Sequence, residues 1–293
     1  MHGAGNDYVY VNGFTERVVD APDLARKVSD RHVGVGSDGL IIIRPPSGSN
    51  ADCRMEMYNA DGSRAQMCGN GIRCVAKYVY DRGIARRAAI RIDTDAGLKV
   101  VRVLPGTGGG LPDLAASLEV DMGSPRLARA SIPLVDGGDP REAAIDIPIE
   151  VCDRSFRLTA VSMGNPHAVV RLEDLELAAI PIGEWGPRFE HHPWFPERVN
   201  TEFIRIRSRS EIDFRVWERG SGETLACGTG ACAAAVAAAV NGWCDLDVVV
   251  HLRGGDLRIR WEPPSGPEER RRGGGTVFMT GPAVEVFSGV WPG

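Results

Sequence analysis

The sequence predicts an α+β protein of two pseudosymmetric domains, each a curved mixed β-sheet wrapped around a central α-helix, with the functional site in the interdomain cleft. Three observations carry that expectation. The pattern Cys-Gly-x-Gly occurs twice, at Cys68-Gly69-Asn70-Gly71 and Cys227-Gly228-Thr229-Gly230, so position 68 maps onto 227 at an offset of 159. The same offset carries Gly5-Asn6 onto Gly164-Asn165 and Tyr58 onto Trp217, and with a small shift 37–42 falls on 200–205. Both cysteines also follow a strand and a glycine loop and precede a helix. Ordered features at one spacing argue for duplication.

The elements follow in chain order. Alternating and β-branched runs predict strands at 7–12, 39–43, 55–59, 89–93, 97–104 and 116–122. In the second half they predict strands at 144–150, 155–161, 167–171, 201–206, 213–217, 246–251 and 256–261. Pro22 can open a helix over 22–30 and Pro181 a shorter one, because proline fits the first helical turn. Residues 71–82 place Ile72, Val75, Ala76 and Val79 on one face of a helix. Residues 228–241 are almost wholly alanine and valine, and end at Asn241-Gly242, a helix stop. A helix apolar all round is a buried one.

The glycine-rich stretches 106–110 and 273–275 read as connections, and strands at 276–280 and 283–287 return to the first half. The domains are therefore expected at 1–115 with 276–293, and at 116–275. The comparison of halves leaves one gap. Strand 156–161 leads into Gly164-Asn165, and its counterpart would fall before Met1, so the chain is expected to begin several residues short.

Composition sets bounds. At 293 residues, two domains can each bury a core. A net charge of -5 supplies no electrostatic attraction for nucleic acid or an anionic membrane, so neither is expected as a partner. The basic run Arg270-Arg271-Arg272 follows Glu268-Glu269 and is expected to be a solvated linker. The most apolar run, 231–240, is far shorter than the roughly 20 residues of a membrane span. No secretory leader opens the sequence, which makes the cytoplasm the default expectation. Seven cysteines, an odd number in a chain this long, favour a reducing compartment and free thiols.

The chemistry centres on Cys68 and Cys227. Each immediately precedes a helix, whose first turn carries unpaired N–H groups and about half a positive charge. That environment is expected to favour the thiolate. The glycine N–H groups can also cradle an anion at close range. If the halves face each other, an α-amino acid carboxylate fits between the helix starts with one sulfur on each face of its Cα. One thiolate can then remove the proton while the opposite thiol returns one, and the N–H groups stabilise the carbanion. Neither metal nor cofactor is required. The alternative for any cysteine is a small buried hydrophobe, and that reading is kept for Cys53, Cys74, Cys152, Cys232 and Cys244. A zinc site built from Cys68, Cys74, Cys227 and Cys232 has spacings outside or at the edge of the usual ligand range.

Further motifs sharpen the reading: His2-Gly3-Ala4-Gly5-Asn6-Asp7, Tyr58-Asn59-Ala60-Asp61-Gly62-Ser63, Met163-Gly164-Asn165-Pro166-His167, Glu218-Arg219-Gly220 and Met279-Thr280-Gly281-Pro282-Ala283. With the two cysteine motifs they resemble the diaminopimelate epimerase family, in order and nearly end to end. The resemblance implies pyridoxal-independent, two-base interconversion of LL- and meso-2,6-diaminopimelate, on the route to lysine and peptidoglycan, and a homodimer. It implies that Cys68 and Cys227 are the acid–base pair, with His167 and Glu218 helping to set thiol protonation. Backbone groups of Gly69, Asn70, Gly228 and Thr229 would hold the reacting carboxylate. Asn6, Asn59, Asn165, Asn200, Glu218 and Arg219 would line the substrate site. Two departures stand out: the family's opening strand is missing, and Gly39 replaces a glutamine that some members place near the substrate.

Two rival functions are open to the same residues. One is a proline- or hydroxyproline-type racemase of related two-cysteine architecture. The other is a non-catalytic amino-acid-binding protein with structural cysteines.

Overall fold

The protein is described by a computed structural model covering residues 1–105 and 114–292; the glycine-rich stretch 106–110 lies outside the described residues. The chain divides into two units, Met1–Asp121 with Thr280–Gly293, and Met122–Met279.

The first unit contains β1 (His2–Gly3), β2 (Asn6–Asp7), β3 (Val9–Asn12), α1 (Ala21–Ser29), β4 (Gly39–Arg44), β5 (Cys53–Asn59), β6 (Arg64–Ala65), α2 (Gly69–Asp81), β7 (Ala89–Thr94), β8 (Gly97–Pro105) and β9 (Ala115–Asp121). Its sheet runs β9-β8-β7-β5-β4-β3, while β1 and β2 form a separate hairpin. Asp20 caps α1 by accepting the Asp23 N–H, with Pro22 in the first turn as expected. Helix α2 lies against β1, β7, β8 and β9, and Ile72, Val75, Ala76 and Val79 are all buried.

The second unit contains β10 (Ile147–Val151), β11 (Arg154–Ser162), β12 (Pro166–Arg171), α3 (Ile182–Glu190), β13 (Asn200–Ser208), β14 (Glu211–Glu218), β15 (Gly222–Glu223), α4 (Gly228–Val240), β16 (Asp247–Leu252), β17 (Gly255–Glu262), α5 (Pro267–Arg272) and β18 (Thr276–Gly281). The order is β10-β11-β12-β13-β14-β16-β17-β18, and β18 carries the chain back to the first unit at Thr280. Helix α4 packs on β11, β12, β13, β16 and β17, and Ala231 through Ala238 are buried. Side chains this small let the sheet come close on every side.

The duplication is visible in the pairing. β3 and β4 are parallel, β4 and β5 antiparallel, β5 and β7 parallel, β7 and β8 antiparallel. The series β12, β13, β14, β16 and β17 repeats that alternation. Even the helix ends correspond. Both α2 and α4 stop at a positive-φ glycine, Gly83 (φ 71°) and Gly242 (φ 74°), which the sequence comparison had not paired.

Three expectations are corrected. Residues 283–287 form no strand: Pro282 carries no N–H to donate, and only Val284 makes a bridge, to His2. Val286 and Phe287 are 63% and 68% exposed there. The strand expected from 144 starts at Ile147, because Asp146 has φ 53°, which a β-strand does not accommodate. The acidic–basic run at 268–272 is a short exposed helix rather than a linker, with Glu268 and Glu269 in its first turn and the three arginines in its last. That charge order complements the helix dipole. Among the described residues no helix is long and apolar enough to cross a membrane.

Candidate active site

Each unit carries a cysteine at a helix N-cap. Cys68 caps α2 with φ -136° and ψ 124°, and Cys227 caps α4 with φ -126° and ψ 110°. The N–H groups of the following turn, on Gly69 and Asn70 and on Gly228 and Thr229, are those that no intrahelical carbonyl satisfies.

In the first unit, the Gly71 N–H donates to Cys68 Sγ at 3.4 Å, and the thiol donates to Asn6 Oδ1 at 3.3 Å. Asn6 is itself held. Its Nδ2 donates to Asp38 Oδ2 at 2.7 Å, and Arg31 bridges Asp38 at 3.0 Å and Asp7 at 2.8 Å. Asn70 is buried, and its Oδ1 accepts from Arg73 at 2.9 Å. Arg73, fully buried, also donates to the carbonyls of Gly69 at 3.1 Å and Pro282 at 3.2 Å. It thereby clamps the helix start onto the returning C-terminal segment. Asn59 is half-buried at the end of β5, where its Nδ2 donates to Ser63 Oγ at 2.9 Å.

Gly39 explains its own identity. A Cβ there would stand 2.2 Å from the Tyr58 carbonyl oxygen and 2.7 Å from Tyr8 Cε1. No side chain can occupy this position without displacing backbone, so a glutamine contact is excluded in this chain by packing.

In the second unit, three of the expected residues line up behind Cys227. Its Sγ lies 3.5 Å from Thr229 Oγ1, Asn165 Nδ2 donates to that hydroxyl at 3.3 Å, and His167 Nε2 lies 3.0 Å from Asn165 Oδ1. The other ring nitrogen, Nδ1, is 2.7 Å from Glu202 Oε1, and both side chains are wholly buried. Glu218, at the end of β14, accepts the Thr224 hydroxyl. The backbone N–H of Arg219 donates to Asn200 Oδ1 at 2.8 Å, and the Arg219 guanidinium to the Glu197 carbonyl at 2.8 Å. Buried Glu190 supports this turn, accepting from the Gly220 N–H at 2.9 Å and from Trp217 Nε1 at 2.8 Å.

The electrostatics of Cys227 overturn one expectation. Burial pushes its thiol well above the ordinary 9.0, and the Glu218 carboxylate pushes the same way. The Gly230 N–H and Thr229 hydroxyl favour thiolate but are outweighed. At this helix start desolvation outweighs the support that first-turn N–H groups give a thiolate. Here Cys227 rests as the thiol.

Sequence reasoning missed Glu202, Thr224, Glu190, Arg73, Asp38 and Arg31. Glu202 had a readable signal. It is an acid in the strand run Asn200-Thr201-Glu202-Phe203-Ile204, two residues from Asn200 and so on the same face. Glu190, Asp38 and Arg31 reach the site through partners more than twenty residues away, and Thr224 and Arg73 carry no pattern that marks them in the sequence.

Solved structures share this architecture. A phenazine biosynthesis protein of the PhzF family from Bacillus anthracis matches at TM-score 0.66 and 15% identity, covering 96% of this chain and 92% of its own. A probable proline racemase from Agrobacterium radiobacter K84 matches at TM-score 0.65 and 14% identity, covering 96% and 88%. These likenesses establish the fold. With a cysteine capping the central helix of each unit, fold and site define a duplicated α+β protein. Sequence comparison goes further. The family model described as diaminopimelate epimerase matches residues 1–127 and 159–286. The diaminopimelate epimerase of Desulfovibrio desulfuricans is 50% identical over 295 residues, covering 99% of this chain and 96% of that protein. That of Moorella thermoacetica is 49% identical over 293 residues, covering 100% and 98%. The chain belongs to the diaminopimelate epimerase family and is an isomerase.

Proposed function

We propose that the protein interconverts LL- and meso-2,6-diaminopimelate by a two-base mechanism in which Cys68 and Cys227 act on opposite faces of one Cα. The observation that carries it is the matched pair of N-cap cysteines in two duplicated halves. The protonated state of Cys227 suits the acid; in the direction where Cys227 donates, Cys68 is the base, once the proton it gives to Asn6 Oδ1 in the resting site has passed to solvent. The Cα–H bond breaks toward Cys68, a proton leaves the Cys227 sulfur for the opposite face, and the thiol and thiolate exchange places. First-turn N–H groups of α2 and α4 hold the reacting carboxylate and stabilise its carbanion form.

Asn6 positions Cys68. His167 and Glu218 set the protonation of Cys227. Asn59, Asn165, Asn200 and Arg219 shape the remainder of the substrate site, Asn200 by holding the Arg219 turn. Two thiols suffice for the proton exchange, so no cofactor enters the scheme. We place the enzyme in the cytoplasm as a homodimer, as the family resemblance and the thiol content suggest.

Incubation with LL-diaminopimelate in deuterium oxide, without added cofactor, tests this reading. Deuterium should enter at Cα in the epimerised product. Epimerisation with full retention of the original hydrogen sinks the two-base scheme. Turnover of proline but not of diaminopimelate sinks the substrate assignment.

A further inference from the structure

The contacts behind Cys227 join into one line. From Glu202 Oε1 to His167 Nδ1 is 2.7 Å, from His167 Nε2 to Asn165 Oδ1 3.0 Å, from Asn165 Nδ2 to Thr229 Oγ1 3.3 Å, and from Thr229 Oγ1 to Cys227 Sγ 3.5 Å. Each link has a donor end and an acceptor end, so fixing one fixes the rest. Asn165 turns its oxygen to His167 and its nitrogen to Thr229. His167 Nε2 therefore carries a proton, and in a neutral ring Nδ1 accepts. The proton on the shortest link then belongs to the carboxyl of Glu202. At the far end, Thr229 accepts from Asn165 and turns its own hydroxyl hydrogen toward sulfur.

Burial supports that assignment. Glu202 has no exposed surface, and its Oε2 is buried without a hydrogen-bond partner. An ionised carboxylate with one oxygen bare would be very costly there, whereas the neutral acid leaves only a carbonyl oxygen unpaired. The titratable groups that face Glu202 are His167 on β12, Glu218 at the end of β14 and the Cys227 thiol; α4, packed against the same strands, carries no charged side chain. None of these neighbours supplies a second hydrogen bond to Oε2.

We propose that Glu202, protonated and buried behind the site, is a positioning residue that sets the direction of a four-link hydrogen-bond chain ending on the Cys227 sulfur. The chain presents a donor to that sulfur when it has given its proton to carbon and become thiolate. Ionising Glu202 moves the ring proton to Nδ1, turns the Asn165 amide over and withdraws the Thr229 donor. The proposal rests on Cys227 as an acid–base group, but the chain's direction can be read without turnover.

The test uses the full-length enzyme with 15N-labelled histidine. The wild type should show His167 as the neutral Nε2–H tautomer. Glu202→Gln, whose amide can donate to Nδ1, should keep that tautomer, stay within about threefold of wild-type kcat and lose the alkaline limb due to Glu202. Glu202→Met should give a mixture of tautomers and at least about a tenfold fall in kcat. Thr229→Val should leave the tautomer unchanged and lower kcat similarly, which keeps the test open if the methionine variant does not fold. Finding imidazolium or the Nδ1–H tautomer in the wild type overturns the proposal. So does Glu202→Gln as impaired as Glu202→Met. If diaminopimelate is not turned over at all, the functional reading fails and the tautomer measurement still decides this one.

Discussion

Asn200 accepts the backbone N–H of Arg219 at 2.8 Å through Oδ1 and donates through Nδ2 to the Pro166 carbonyl at 3.0 Å. One buried amide thus ties the start of the His167 strand to the turn bearing Glu218 and Arg219. Asn200, expected to line the substrate site, also braces two segments of the second unit. Asn200→Ala should leave a donor and an acceptor unpaired, at a cost of roughly 1–3 kcal/mol in stability. It should lower Tm and raise KM together. An unchanged Tm with a raised KM would instead assign Asn200 to direct substrate contact.

Cys227 should be slow to alkylate in the resting enzyme. Its pKa lies above 9.0, so the thiol is protonated at neutral pH and the reactive thiolate grows only as pH rises through the raised value. Iodoacetamide labelling, followed residue by residue by mass spectrometry, should rise with pH across and beyond pH 9.0 at this position. Cys53, pushed by burial to about 12, should likewise resist labelling at neutral pH. Rapid labelling of Cys227 at neutral pH would contradict the resting thiol.

Replacing either cap cysteine removes one partner of the proton exchange. Cys68→Ala and Cys227→Ala should each reduce epimerisation by at least about a hundredfold, the low end of general acid–base contributions. Circular dichroism should remain native-like. Either variant retaining wild-type turnover would return its cysteine to a structural role.

Gly230 tests the packing of the second half. A Cβ there would stand 2.7 Å from Glu202 Oε1 and 3.2 Å from Phe214 Cζ. Gly230→Ala should destabilise the enzyme by about 1–3 kcal/mol, the usual range for overpacking. Urea unfolding measures it; no loss of stability would mean that the Glu202 carboxyl moves freely.

Asp38 tests the first half. Asp38→Ala releases Asn6 Nδ2 and one of the Arg31 contacts while leaving Cys68 itself untouched. Its partners are largely solvent-exposed, so stability should change by no more than about 1 kcal/mol, as surface ion pairs do. kcat should fall as Asn6 loosens beside the sulfur. A variant with wild-type kcat would show that Cys68 does not depend on Asn6 being held.

Most of the fold was legible because its determinants are local or repeated. Periodicity located α2 and α4, and the glycine pairs at their starts marked the cysteines as caps. The strand at 283–287 failed for a local reason, the proline before it. Arg73 and Glu190 were illegible because a buried charged side chain reads like any surface one until its neighbours are known. Gly39 looked like a lost substrate contact until Tyr8 and Tyr58 were seen to fill its space.

By itself the sequence determined two halves of one ancestry, a cysteine at the start of each central helix, and the family to which the chain belongs. These follow from spacing, composition and helix-start chemistry, all properties of neighbouring residues. Only the tertiary structure decided the protonation of Cys227 and what stands behind it. Desolvation and the field of Glu218 depend on three-dimensional distance, and strands far apart in sequence set that distance.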